Sequence, residues 1–284
     1  MSVLVPVRFW KNASWSIASL LERFSGKTLR AMGEFRQLAN LHPAYRDVDD
    51  IGIKFTQTYI EARVQLTDQN LLRKWRPDID VVGTEHIDAA LMSNKGVILW
   101  VTPFAFSDLV AKMAMKQSGY EISHLSRPGH GFSRSRFGVR FLNGLRTRVE
   151  NRYIKDRVRI HTGEERRAML ALRRVLKNNG IVSITVGAQS KKSDQVNLRA
   201  GKLRIATGAL RLSELTGAPV LPVFTVNTSA QEYKVDIGSS ITGTGSGHAE
   251  SLKTYAELLE EYLSNYPCQW RAMYDFVVDS PAAD

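Results

Sequence analysis

Arginine is concentrated where a phosphate-bearing ligand would meet it. Between Arg127 and Arg159 lie Arg134, Arg136, Arg140, Arg146, Arg148, Arg152, Lys155 and Arg157, opposed only by Glu150 and Asp156. A guanidinium makes bidentate bonds to phosphate that an ammonium cannot. The same run also suits a solvated basic face, the usual fate of a charge run. Asp108 follows Ser107 where a helix is expected to begin, so it is either a helix-end acid or a carboxylate open to proton chemistry. Lys202 and Thr207 lie near another expected helix start, where anions and oxyanions are favoured and plain capping is the alternative. His130 stands between Gly129 and Gly131, while His42, His86, His124, His161 and His248 are scattered without metal-ligand spacing. No metal and no cofactor is expected. Walker, GxGxxG, HExxH and GxSxG patterns are missing. The glycines of residues 242–247 (TGTGSG) do not lead from a strand into a helix and read as a loop tip.

These groups need elements to hold them. Residues 96–102 are a continuous apolar run of strand length, expected of a strand covered on both faces. Further strands are predicted at 121–126, 181–186, 219–227 and 232–237. Helices are predicted at 54–76, 106–117, 133–149, 164–177, 203–215 and 251–264, several closed by Gly or Asn. Strands alternating with helices predict an α/β fold: a single domain with a central, mostly parallel sheet flanked by helices. Sites in such sheets lie at the carboxyl ends of strands, which directs attention past Thr102, Ser126 and Val186. Residues 1–50 are expected to form an N-terminal helical extension of the domain spanning 51–284. In that extension Ile17, Leu20, Leu21 and Phe24 fall at i, i+3, i+4 and i+7, near Trp10, Trp15, Lys11, Arg23 and Lys27. The pattern fits a helix lying in a membrane interface and equally one packed on the domain.

Composition narrows the classes. The chain has 284 residues, 43% of them hydrophobic, and a net charge of +11, which is globular and basic. A single cysteine, Cys268, rules out an intramolecular disulfide framework and favours a reducing compartment. The best apolar run, residues 96–106, is about half of the roughly 20 residues that a spanning helix needs. The N-terminus has no basic region or small-residue cleavage pattern, so no signal peptide is expected. The charge points to an anionic partner: nucleic acid, a phosphorylated metabolite or an acidic membrane surface. Without zinc-finger spacing, an RNP aromatic motif or a repeat, nucleic acid is not expected.

Several segments, in order, resemble the lipid A late acyltransferases of the lysophospholipid acyltransferase superfamily. VVGTEHIDAALMSNKGVILWVTPFAFSDL (81–109) is similar to the family's opening, a G-x-E-H-L lead-in, an apolar strand after K-G-V, and H-x4-D/E. Ser126-Arg127-Pro128 resembles Y-R-P, and LRRVLKNNGIVSITVGAQ (172–189) its helix, glycine and strand. ATGALRLSELTGAPVLPVF (206–224) and NYPCQWRAMYDF (265–276) resemble the later motifs, so the likeness covers about residues 50–276. Two positions depart from the pattern. Pro103 stands where the family has its catalytic histidine, although the acid five residues on is kept as Asp108. Ala188 stands where a later Asp is usual, although Gln189 is kept.

The resemblance implies an α/β transferase that moves an acyl group from a carrier-protein thioester to a hydroxyl of a lipid A precursor. It would work as a peripheral protein on the cytoplasmic face of the bacterial inner membrane. Its implied partners are an acyl or aminoacyl carrier protein and anionic membrane lipid. Some members of the superfamily transfer glycine to lipid A and so blunt cationic antimicrobial peptides. An alcohol needs a base to take its proton, and a proline side chain supplies none. The readings left open are an active enzyme using Asp108 or His130 instead, an aminoacyl donor with a different proton route, and a non-catalytic relative that binds lipid or carrier protein. In the active readings Arg127 holds acceptor phosphate, and Lys202 and Thr207 face anionic groups.

Overall fold

A computed structural model describes residues 5–24, 50–126, 143–160, 163–187, 193–199, 201–242, 247–271 and 276–277. Strand β2 (Val97–Val101, VILWV) lies at the centre of the sheet, and every residue in it is buried. Alternation sends Leu99 and Val101 to one face and Ile98 and Trp100 to the other, so both faces need cover. The chain enters β2 through Gly96 at φ +69°, where an added Cβ would sit 2.6 Å from the Gly180 carbonyl oxygen. Only glycine fits both the turn and that approach.

On one side β2 pairs in parallel with β5 (Ile181–Thr185), followed by β3 (Ile122–Ser126) and β4 (Asp156–Arg159), also parallel. On the other side it pairs in parallel with β8 (Val220–Asn227). β9 (Glu232–Ile237) runs antiparallel to β8, and β1 (Asp78–Val82) is parallel to β9. The seven-stranded order is β1-β9-β8-β2-β5-β3-β4. One face is covered by α1 (Trp10–Phe24), α2 (Ile51–Leu71), α3 (Thr84–Met92), α4 (Ser107–Gln117) and α5 (Asn143–Glu150), around Leu99, Val110, Ile87 and Trp75. The other is covered by α6 (Glu165–Lys177), α7 (Gly208–Thr216) and α8 (His248–Asn265), around Trp100, Leu172, Leu210 and Leu259. The expected α/β fold with a mostly parallel sheet is the one observed.

Some expected elements changed. Residues 203–206, expected in a helix, lie instead in β7 (Gly201–Ala206), paired antiparallel with β6 (Ser193–Leu198) and β10 (Phe276–Val277) in a second, three-stranded sheet. Leu203 and Ile205 point inward while Arg204 is exposed, a period of two that the following helix hid. β1 and β4 were not expected, because edge strands carry charges such as Asp78, Asp80, Asp156 and Arg157 that obscure an apolar pattern. Of the basic helix expected at 133–149, α5 is the part among the described residues; of the N-terminal extension, the described part is residues 5–24, a 3-10 turn (Val7–Phe9) leading into α1, and residue 50.

Helix α1 packs on α2 through Trp10, Ser14 and Ala18, each at most 5% exposed. The Ser14 hydroxyl donates to Glu61 Oε1 at 2.9 Å, and Gln57 Nε2 donates to the same oxygen at 2.7 Å. Burial pushes the Glu61 carboxyl up in pKa despite these bonds. The apolar stripe seen in the sequence is not the packing face: Ile17, Leu20 and Leu21 are 39%, 58% and 41% exposed. Among the described residues no helix is long and apolar enough to cross a membrane.

Candidate active site

At the end of β2, Thr102 is fully buried; its N–H donates to the Val223 carbonyl at 2.8 Å and its Oγ1 accepts the Tyr255 hydroxyl at 3.2 Å. The next residues are strapped by the C-terminal segment. The Pro103 carbonyl accepts the Arg271 N–H at 2.8 Å, and the Ala105 N–H donates to the Gln269 carbonyl at 2.7 Å. Phe104 bridges to Trp270, which is 1% exposed and belongs to the core. Proline suits position 103 because the strap uses its carbonyl and asks for no N–H.

Helix α4 then begins. Asp108 lies in its first turn, but no side chain caps this helix end. Its carboxylate is turned to Arg146 of α5, with which it forms an ion pair. Arg146 Nε in turn donates to Glu150 Oε1 at 2.6 Å, Arg157 of β4 donates to Glu150 Oε2 at 2.8 Å, and Lys112 Nζ lies 3.5 Å from that oxygen. Lys112 and Glu150 are each 4% exposed at the side chain. Burial alone would push the Glu150 carboxyl up, but Lys112, Arg146 and Arg157 override it and hold the group far below the usual carboxylate range. Burial pushes the Lys112 ammonium down in pKa, against Glu150 and Asp108. Part of the arginine run is therefore turned inward: Arg146 and Arg157 neutralise a buried carboxylate, whereas Arg148 and Arg159 are exposed.

Beside Asp108 is a small cavity of about 10 Å³, close to the roughly 10–15 Å³ that one water needs. Ser107, Asp108 and Lys112 of α4 line it from above, and Leu99, Val101, Ile122, His124, Ser183 and Thr185 line it from the sheet. His124 and Ser183 are mid-strand, and Thr185 is at the carboxyl end of β5, the end of a parallel sheet at which α/β folds bind ligands. Residues 54–274 match the family described as bacterial lipid A biosynthesis acyltransferase. The chain belongs to this family. No curated protein matches it.

In this member of the family the expected site residues do not all meet. Asp108 lines the cavity. Arg127 and His130 lie outside the described residues, as do Ala188 and Gln189. Thr207 is the buried N-cap residue of α7 and makes no side-chain capping bond. Lys202 is not near that helix start but within β7, opposite Asn197 and Val277. Five residue steps, about 16 Å at roughly 3.3 Å each, separate it from Thr207. The residues missed from the sequence are His124, Ser183, Lys112 and Glu150. Strand parity was the available signal for the first two: His124 shares a face with Ile122, and Ser183 with Ile181. For Glu150 the one local signal was its i,i+4 spacing from Arg146, while its burial depends on Lys112 of α4 and Arg157 of β4.

Proposed function

We propose that this protein transfers an acyl or small aminoacyl group, for example glycyl, from a carrier-protein thioester to a hydroxyl of lipid A or a similar membrane glycolipid. The observation that carries the proposal is the polar cavity beside Asp108, between the start of α4 and the sheet strands β2, β3 and β5, within the framework of the bacterial lipid A biosynthesis acyltransferase family. Arg127, next in the chain after β3, holds the acceptor's phosphate, and Asp108 orients or activates the reacting groups. Mass spectrometry of total lipid A with and without the gene tests this. The expected result is a mass difference of one glycyl or one acyl group; identical lipid A profiles would refute it.

The protein works as a peripheral enzyme on the cytoplasmic face of the inner membrane. Phe9, Ile17, Leu20 and Leu21 are exposed beside Arg8 and Lys11, an apolar face flanked by cations. Each cation near an anionic surface contributes about 1 kcal/mol, and each leucine transferred from water contributes roughly 1.5–3 kcal/mol. Sedimentation with anionic vesicles is expected to show binding that weakens with salt. Replacing both Leu20 and Leu21 by glutamate is expected to weaken it at least tenfold, and unchanged binding would remove this helix from the membrane contact.

A further inference from the structure

Position 103 has no imidazole, yet one lines the same cavity as Asp108. His124 is only 3% exposed, in the middle of β3. The sheet register puts it next to Ser183 of β5 and Arg157 of β4. Its Nδ1 lies 3.2 Å from Ser183 Oγ, and Ser183 is 2% exposed. Leu99, Val101 and Ile122 fill the same face of the sheet. A buried imidazole and hydroxyl cost free energy there that further aliphatic side chains would not. They also face a cavity large enough for one water.

We propose that His124 is the proton acceptor of the transfer reaction and that Ser183 is the positioning residue that fixes its tautomer. This rests on the transferase reading above. His124 Nδ1–H donates to Ser183 Oγ, and Nε2 exchanges the proton. The acceptor hydroxyl oxygen attacks the thioester carbonyl carbon while its proton passes to Nε2 through a water of the size the cavity holds. The C–O bond forms, the C–S bond breaks, and the imidazolium returns the proton to the leaving thiolate. The charged groups packed around this face are Asp108 and Lys112 from α4, Arg146 and Glu150 from α5, and Arg157 from β4. Asp108 favours the imidazolium and Lys112 opposes it. An imidazole changes charge near neutral pH, the range in which a base works best.

The test assays the full chain with lipid A and a carrier protein charged with radiolabelled glycine or a fatty acid. His124→Gln is expected to lower kcat by about 10²–10³ with KM unchanged, the range of a lost general base, in a protein that still melts cooperatively. The acid limb of the pH–rate profile should disappear with it. Ser183→Ala is expected to lower kcat less and to move that limb, because the tautomer is then unheld. Partial recovery of His124→Ala by added imidazole would support the role, since a packing defect does not respond to a base. A folded His124→Gln with kcat within about threefold of the parent would overturn this inference alone. A parent protein inactive with every charged carrier would overturn the transferase reading and this inference together.

Discussion

Asp108→Ala is expected to remove transfer, by roughly 10² or more, while the protein stays folded. The carboxylate lies at the mouth of the cavity, with its side chain 41% exposed and ion-paired to Arg146. Among the described residues Asp108 is the one carboxylate that lines the cavity, so losing it removes the charge proposed to stabilise an imidazolium or orient the acceptor. Arg146 keeps its bond to Glu150, so no buried cation is orphaned. A half-exposed pair contributes at most about 1 kcal/mol, and the Tm should fall by only a few degrees. Asp108→Asn separates charge from shape: it should be nearly as inactive if charge matters. Turnover of the parent's size in a folded Asp108→Ala protein would refute the assignment of this residue to the chemistry.

Glu150→Gln is expected to have the largest effect on stability. The substitution keeps the shape and an acceptor oxygen but leaves Lys112, Arg146 and Arg157 turned toward a neutral amide. Breaking a buried pair from one side costs about 3–5 kcal/mol, because the remaining charges stay desolvated. At 2–4 °C per kcal/mol for a chain of this size, Tm should fall by roughly 6–20 °C. By contrast, Glu121→Gln breaks the Lys155–Glu121 pair, whose side chains are 57% and 61% exposed, and no measurable loss is expected. Glu150 also sets a pH dependence. Its folded-state pKa lies below the ordinary value of 4.5, so its stabilisation is complete above that value and fades as pH falls below it. Acid unfolding of the parent should therefore be steeper than that of Glu150→Gln. Thermal melts from neutral pH down to acid measure both, and superimposable curves would show that the cluster does not act as described.

How much was legible depends on how local each signal was. The strands β2, β5 and β8 announce themselves as apolar runs because both of their faces are covered. The edge strands β1 and β4 do not, since charge on their exposed positions breaks the pattern. The stripe Ile17, Leu20 and Leu21 was visible as a helix face, but its direction was not. The helix turned the small residues Ser14 and Ala18 inward instead, because close packing and the bond to Glu61 decide which side meets α2.

Sequence on its own determined the α/β class and the family framework, and it put a proline at position 103 and a carboxylate at position 108, just after the apolar strand. Each of these is written in neighbouring residues: periodicity, composition and motif order. Only the tertiary structure decided that Arg146 and Arg157 are turned inward onto Glu150, that Lys202 and Thr207 are apart, and that His124 shares a cavity with Asp108. The physical reason is that pairing and cavity lining depend on distances of a few ångströms set by where each element packs, whether the residues are four apart in the chain, as Arg146 and Glu150 are, or sixteen and more, as Asp108, His124 and Ser183 are. Strand order and register set those distances, and no local pattern encodes them.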